Sequence, residues 1–427
     1  MTTVDNERGS FMQSETISSC RICVSNDLDI ILDIGDHVSA GIFPAADEPD
    51  PPVGRLRLVM CRECGLAQLD RNFDPSALYH IAYGYRSGIN ASMRVHLAGI
   101  ADEAMRSVTF GADDFILDIA SNDGTLLKAY PDGSVIRVGI DPTIAQFGKH
   151  YPSDVITVAD FFDAAAYLQA TGARKAKVIT SIAMLYDLAE PQKFVRDVAV
   201  CLDPNGLWIF EQSYVGSMLA QNAFDTICHE HLEYYGLAQI ERLLEDNDLR
   251  AVDVSFNDVN GGSFRVHACH RDASFQSSTR LEVARRAEQR SGNGTLAAFD
   301  AFRLRVADIT GKVRHFIESE HAAGKSVYVY GASTKGNIFL QYCGLDHQII
   351  RACADRNPEK WGRRTPGTGI PIVSEAEARE AQPDYFLVLP WHFRAEFLER
   401  EASFLRAGGQ MIFPLPEFTV VSAGDLL

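Results

Sequence analysis

Asp114-Phe-Ile-Leu-Asp-Ile-Ala-Ser-Asn-Asp-Gly-Thr-Leu-Leu127 is the stretch whose reading decides the fold. Its first six residues are a short, mostly apolar run, as expected of a strand buried on both faces of a parallel sheet. Small and polar residues from Ala120 to Gly124 follow at once, and an apolar helix start comes after them. Such a loop lets a ligand approach the backbone closely at the carboxyl end of a parallel strand.

The pattern repeats outward. Val135–Ile140 is a second apolar strand ending in Asp141, 17 residues after Gly124, where a carboxylate can take both hydroxyls of a ribose. Val155–Val158 leads to Asp160-Phe161, an acid and an aromatic suited to the edge and face of an adenine. Lys177–Ser181 and Leu207–Glu211 read as strands four and five, with Phe194–Cys201 helical between them and Asp203-Pro-Asn-Gly206 as a turn. Alternation of this kind predicts an α/β fold with a doubly wound parallel sheet. An acid after the second strand, without a phosphate-binding glycine triplet, fits S-adenosylmethionine better than a nicotinamide dinucleotide. Each acid taken alone is also a common helix N-cap.

Downstream of the fifth strand, Asp225-Thr-Ile-Cys-His-Glu-His-Leu-Glu-Tyr-Tyr235 gathers two imidazoles, two carboxylates and two phenols between His229 and Tyr235. A folded core rarely carries so many titratable groups, because each must be paired or desolvated. Histidine titrates near neutral pH, so the run suits proton transfer. A solvated turn or a short metal site are the alternatives. His229 and His231 are two apart, not four as in HExxH, so they cannot share one helical face in the manner of a zinc hydrolase.

Two other segments carry chemistry. Cys20-Arg-Ile-Cys23 and Cys61-Arg-Glu-Cys64 are two CxxC pairs separated by 37 residues, the spacing of a closed S₄ zinc site, with Gly65 suiting the turn of a knuckle. The insertion between them, with Pro44, Pro49, Pro51 and Pro52, reads as loop and edge strand. The other five cysteines, Cys201, Cys228, Cys269, Cys343 and Cys353, are scattered. Near the C-terminus, Val327–Tyr330 runs into Gly331-Ala-Ser-Thr-Lys-Gly336, and strands recur at Ile350–Ala354, Asp384–Pro390 and Gln410–Pro414. This predicts a second nucleotide-type unit, with Lys335 at a helix start as an anion site and Arg356 and Lys360 adding charge. Between the units, Arg280–His321 reads as a pair of amphipathic helices.

The bulk numbers bound the rest. A chain of 427 residues implies two or three domains, and 46% hydrophobic with 23% charged residues is a folded, globular composition. A net charge of −17 argues against nucleic acid as a partner. No window approaches the roughly 18–20 apolar residues of a membrane span, and the polar, acidic Met1–Ser19 is not a targeting segment. A cytoplasmic location is expected, and no protein partner is evident.

Taken together, the four-cysteine N-terminus, the Ile-Ala-Ser-Asn-Asp-Gly loop and the Asp225–Tyr235 run resemble the sugar C-methyltransferases of deoxysugar pathways. So do Tyr330-Gly-Ala-Ser-Thr-Lys-Gly-Asn337, Asp355-Arg-Asn-Pro-Glu-Lys360 and Leu389-Pro-Trp391. The likeness runs from Cys20 to Phe418. It implies a class I methyltransferase sheet with an N-terminal zinc-knuckle domain and a C-terminal Rossmann-like domain, divided at 1–75, 76–322 and 323–427. It implies structural zinc at Cys20, Cys23, Cys61 and Cys64, and S-adenosylmethionine against Ala120, Ser121, Asn122, Gly124, Asp141, Asp160 and Phe161. It implies His231 as catalytic base with Glu230 as the neighbouring acid, and a nucleotide-linked 4-keto sugar as acceptor; a catalytic histidine is usually positioned by a third group, for which Glu230 or His229 is the candidate. Candidate acceptor contacts are Tyr79, Tyr83, Tyr234, Asn260, Lys335, Asn337, Arg356 and Lys360. The chain departs from the family pattern at Cys228, where a tyrosine is common, and at Ser181-Ile-Ala-Met184, where an asparagine is. Methyl transfer to oxygen or nitrogen, and a non-catalytic zinc and nucleotide scaffold, are the alternative readings.

Overall fold

The computed structural model describes residues 11–74, 86–111, 113–133 and 135–425. Its central sheet has seven strands: β1 (Phe115–Ile119), β2 (Ile136–Ile140), β3 (Ile156–Val158), β4 (Ala176–Ile182), β5 (Leu202–Ser213), β6 (Leu249–Asn257) and β7 (Ser263–His270). They lie in the order 3-2-1-4-5-7-6. The first five are mutually parallel, and β7 runs antiparallel to both β5 and β6. This is the class I methyltransferase topology.

All five residues of β1 are buried, because helices cover both faces. On one face Leu97, Ile100, Ala101 and Ala104 of the helix Ala91–Ser107 meet Ile116, Val178 and Ile209. Their i, i+3, i+4, i+7 spacing is that of a helix stripe. On the other face Phe194, Val195 and Val198 of the helix Pro191–Cys201 pack with Leu117, Ile179 and Trp208. Each such side chain contributes roughly 1.5–3 kcal/mol on burial, so burial on two faces outweighs strand propensity in fixing β1.

The N-terminal sheet differs from expectation. Leu28–Val38 and Val53–Cys61 form a long antiparallel pair, flanked by Ala67–Leu69 and then Glu233–Tyr234. The four prolines fall in the connection 39–52, as loop chemistry requires. The first strand was obscured because its pairing register shifts between Ile30 and Leu32 and again between Asp33 and Gly35. Bulges of this kind break the two-residue alternation by which a strand is recognised. The edge strand Glu233–Tyr234 comes from the titratable run itself, paired with Gln68 and Ala67.

The C-terminal sheet has six strands in the order Ile372–Ser374, Cys353–Asp355, Val327–Tyr330, Tyr385–Val388, Gln410–Phe413 and Thr419–Val421, the last of them antiparallel. The helical pair is Thr279–Ser291 and Leu296–Ala322. The longer helix buries Phe299, Phe302, Val306 and Val313 in a core that the N-terminal and C-terminal sheets share. No helix among the described residues is long and apolar enough to cross a membrane.

Candidate active site and zinc centre

A cavity of about 430 Å³ opens at the carboxyl ends of β1, β2, β4 and β5. The loop after β1 shapes its floor through three left-handed residues, Ala120 (φ 56°), Asn122 (φ 51°) and Gly124 (φ 72°). A Cβ on Gly124 would stand 2.9 Å from the ring of Tyr151, so glycine is required there by space as well as by φ. The Tyr151 hydroxyl in turn donates to Asn122 O at 2.9 Å and lies 2.8 Å from Ser121 Oγ. The Asp141 carboxylate accepts from Asn122 N at 2.9 Å and from Thr143 N at 2.6 Å, which fixes it at the cavity wall.

Of the expected cofactor residues, Ala120, Ser121, Asn122, Asp141 and Phe161 line this cavity. Gly124 supports the loop from behind. Asp160 does not line it, because its carboxylate turns back to accept from Phe161 N at 2.8 Å on an exposed bend. Ile140, Phe162, Met184, Leu188 and Phe194 add an apolar lining suited to an adenine. The residues present fit S-adenosylmethionine: a backbone loop and a carboxylate at one end, and an apolar slot beside them.

Residues outside the expected set complete the far wall. Glu211 ends β5 and is held by His96 Nε2 at 2.5 Å, by Asn257 Nδ2 at 2.9 Å and by Arg265 Nη2 at 2.8 Å. Those partners keep its carboxyl below the usual range despite burial. Asp118 sits beneath the loop, where among the described residues Thr180 Oγ1 alone donates to its side chain, and burial pushes it up to about 7. Neither acid stands in a motif of its own, and their roles depend on neighbours distant in sequence.

His231 occupies a small recess next to the cavity, and Tyr186 lines both spaces. The two rings meet edge to face, with centroids 4.6 Å apart. Nδ1 of His231 lies 2.8 Å from Thr226 O, so Nδ1 carries the hydrogen and Nε2 keeps its lone pair. Loss of water around the ring, and secondarily the charge of Lys335, lower His231 to about 4. Tyr234 lines the same recess and donates from its hydroxyl to His231 O at 3.2 Å.

Its neighbours in sequence part ways. His229 is wholly buried under the N-terminal sheet, with Nε2 3.2 Å from Gly54 O and its ring against Phe73. A Cβ on Gly54 would lie 2.8 Å from that ring, so His229 fills space that only glycine leaves open, and it is not in the recess. Glu230 packs its Oε1 against Gly41 and shares a hydrogen bond with the Cys228 thiol; burial raises both groups. Cys228, buried and bonded to that acid, is absent from the lining of either space.

The expected acceptor contacts divide further. Asn260 (φ 56°) lines the cavity, and its carbonyl accepts from Lys335 Nζ at 2.6 Å, which brings the C-terminal sheet to the cavity rim. Trp391 Nε1 also reaches across, donating to Asp225 Oδ2 at 3.0 Å. Asn337 is an interdomain clamp instead: Nδ2 donates to Ala40 O at 2.7 Å. Lys360 donates to Ala332 O at 2.7 Å and lies over the Phe43 ring. Arg356 faces Glu375 and Glu396. Lys335, Arg356 and Lys360 thus each have a different protein partner. The loop's Ala332 N–H is likewise taken by Asp355 Oδ2 at 2.8 Å. Tyr79 and Tyr83 lie outside the described residues.

In the N-terminal unit the Sγ atoms of Cys20, Cys23, Cys61 and Cys64 all lie within 4.8 Å of one another. Cys20 and Cys64 are 3.5 Å apart and Cys23 and Cys61 3.4 Å apart. A tetrahedron with Zn–S bonds of ~2.3 Å has edges of ~3.8 Å, so the four thiols fit zinc closely. Gly65 follows with φ 73° as a knuckle requires. Between the first two ligands, Arg21 turns inward. It donates to Leu69 O at 2.9 Å and to Leu232 O at 3.4 Å, and pairs with Glu233 at 3.4 Å. The zinc knuckle thus grips the strand that follows His231.

Three family matches divide the chain. Residues 20–79 match a zinc-binding domain, 98–254 a methyltransferase domain and 258–416 the C-methyltransferase C-terminal domain. The C-methyltransferase NovU of Streptomyces niveus is 32% identical over 417 residues, covering 96% of this chain and 98% of NovU. Among solved structures, N-methyltransferase NodS of Bradyrhizobium japonicum WM9 with S-adenosylhomocysteine aligns at 15% identity and TM-score 0.31, over 43% of this chain and 90% of that one. Magnesium protoporphyrin IX methyltransferase of Synechocystis PCC 6803 with bound S-adenosylmethionine aligns at 10% identity and TM-score 0.32, over 42% and 79%.

Proposed function

Since the chain belongs to the C-methyltransferases, S-adenosylmethionine-dependent enzymes that here carry a zinc-binding domain, we propose that it methylates the carbon alpha to the ketone of a nucleotide-linked sugar. In this reading residues 1–75 hold zinc, 76–322 bind the methyl donor, 323–427 close over the acceptor, and the reaction runs in the cytoplasm.

The observation that carries it is the state of His231. Its Nδ1 is committed to Thr226 O, its ring is neutral at physiological pH, and the Tyr186 ring against it lines both its recess and the cavity. A neutral imidazole with a free Nε2 is a general base. The alpha C–H bond breaks, the proton goes to Nε2, and the electron pair passes into an enolate of the sugar. Ala120, Ser121, Asn122, Asp141 and Phe161 would hold S-adenosylmethionine, which when bound would supply an electrophilic methyl group for the enolate carbon, with the neutral thioether as leaving group. Asn260, at the rim, and the Lys335 charge behind it favour the developing negative charge. Cys20, Cys23, Cys61 and Cys64 would hold the zinc in a closed site without an open position, so it serves structure, not chemistry.

The test is product analysis with ¹³C-methyl S-adenosylmethionine and TDP- or UDP-linked 4-keto-6-deoxyglucose deuterated beside the ketone. A ¹³C-methyl resonance at the shift of a carbon-bound, not an oxygen- or nitrogen-bound, methyl and loss of the alpha deuterium are expected. A methyl on oxygen or nitrogen with that deuterium retained contradicts the reading.

A further inference from the structure

Gln212 is the side chain on the cavity wall that the account so far leaves unused. It is 1% exposed, and among the described residues neither Nε2 nor Oε1 has a hydrogen-bond partner. The other buried polar side chains on the wall spend their atoms on protein: Asp118, Ser121, Thr125, Asp141, Glu211 and Ser263. A buried amide with both ends unspent is a cost that a fold bears where a ligand repays it.

Its position indicates which ligand. Gln212 stands at the carboxyl end of β5, one residue past the pairing of Glu211 with Ile182 of β4. Asp141, the ribose acid, is at the end of β2, and in the order 2-1-4-5 the two are three strand spacings apart, ~14 Å. That distance from the ribose acid puts Gln212 at the acceptor end of the cavity, whose lining also includes Met184 and Tyr186 of the segment after β4. A carboxamide offers one donor and one acceptor side by side. Its complement is a ligand with an acceptor and a donor on neighbouring atoms.

We propose, resting on the acceptor reading above, that Gln212 is the specificity residue for an α-hydroxy ketone. Nε2 donates to the ketone oxygen and Oε1 accepts from the hydroxyl on the adjacent carbon. A site built to bond a hydroxyl rejects the analogue lacking it far more strongly than an apolar pocket does.

The test compares the zinc-loaded full chain with Gln212→Met on TDP- and UDP-linked 4-keto-6-deoxyglucose and on their 3-deoxy counterparts. Expected for the wild type is a preference of about 100-fold or more in kcat/KM for the hydroxylated acceptor. In Q212M that preference collapses to below about tenfold, with S-adenosylhomocysteine affinity unchanged. Equal losses on both acceptors, no loss on either, or a parallel loss of cofactor affinity overturns the assignment. Melting of the ligand-free proteins decides independently of turnover. Q212M, rid of two unpaired polar atoms, should melt no lower than the wild type, and a clear drop would mean that the amide has a structural partner. Absence of carbon methylation by the wild type on every acceptor counts against the acceptor reading, and the melting comparison still decides Gln212.

Discussion

The carbonyl oxygen of Thr226 lies 2.8 Å from Nδ1 of His231, and a carbonyl can only accept. This one contact sets the tautomer, directs the free lone pair to Nε2, and uses a backbone atom that substitution cannot easily disturb. Desolvation then lowers His231 to about 4. The reactive neutral form therefore persists well below the pH at which an ordinary histidine, near 6.5, is half protonated. The acid limb of kcat/KM should fall near pH 4 and be flat from about pH 5.5 to 8; an inflection near 6.5 would contradict the buried-base account. Stability carries the same sign. His229, His231 and His392 are each lowered to about 4, so the unfolded chain takes up protons first. Their contribution is full above about 6.5 and is lost as pH falls towards 4. Urea midpoints at pH 7 and pH 5 should show the decline.

Arg21 and Glu233 are 3% and 0% exposed at their side chains and form an ion pair between the zinc knuckle and the edge strand after His231. Burial pushes Glu233 well above the usual carboxylate range even beside Arg21, so removing Arg21 chiefly strands its backbone acceptors Leu69 O and Arg71 O, at a cost of ~1–3 kcal/mol each. Arg21→Met should lower the unfolding free energy obtained from urea denaturation by an amount of that order. Zinc content by colorimetric release should stay near one ion per chain, because all four thiols remain.

Trp391 couples the C-terminal sheet to the base. Its indole N–H is the partner of Asp225 Oδ2, Asp225 is wholly buried, and the next residue is the Thr226 that holds His231. Trp391→Phe keeps the ring and loses the donor. Expected are a loss of stability of ~1–3 kcal/mol, a several-fold fall in kcat, and unchanged affinity for S-adenosylhomocysteine by calorimetry. A fall in cofactor affinity of similar size would show that the domain acts on the cofactor cavity instead.

The sheet core was legible because β1, β2 and β4 are apolar runs whose side chains are buried on both faces, and because their loops end in residues such as Asp141 that do something visible. Leu28–Val38 was not legible, since its bulges erase the alternation. Within the titratable run, His229 and His231 look alike in sequence; only the space left by Gly54, 175 residues away, tells the packed ring from the free one. Lys335, Arg356 and Lys360 looked like one cluster because they are near in sequence, yet Asn260, Glu375 and Ala332 draw them apart. Gln212 could not be picked out at all, because what marks it is the lack of any partner.

The central claim is that His231 removes the proton, and it can be tested without methyl transfer. In D₂O with S-adenosylhomocysteine in place of the methyl donor, the wild type should wash deuterium into the position alpha to the ketone of TDP- or UDP-linked 4-keto-6-deoxyglucose. His231→Ala should slow that exchange by at least ~100-fold while binding S-adenosylhomocysteine as tightly as the wild type. Exchange by the variant at the wild-type rate would contradict the account.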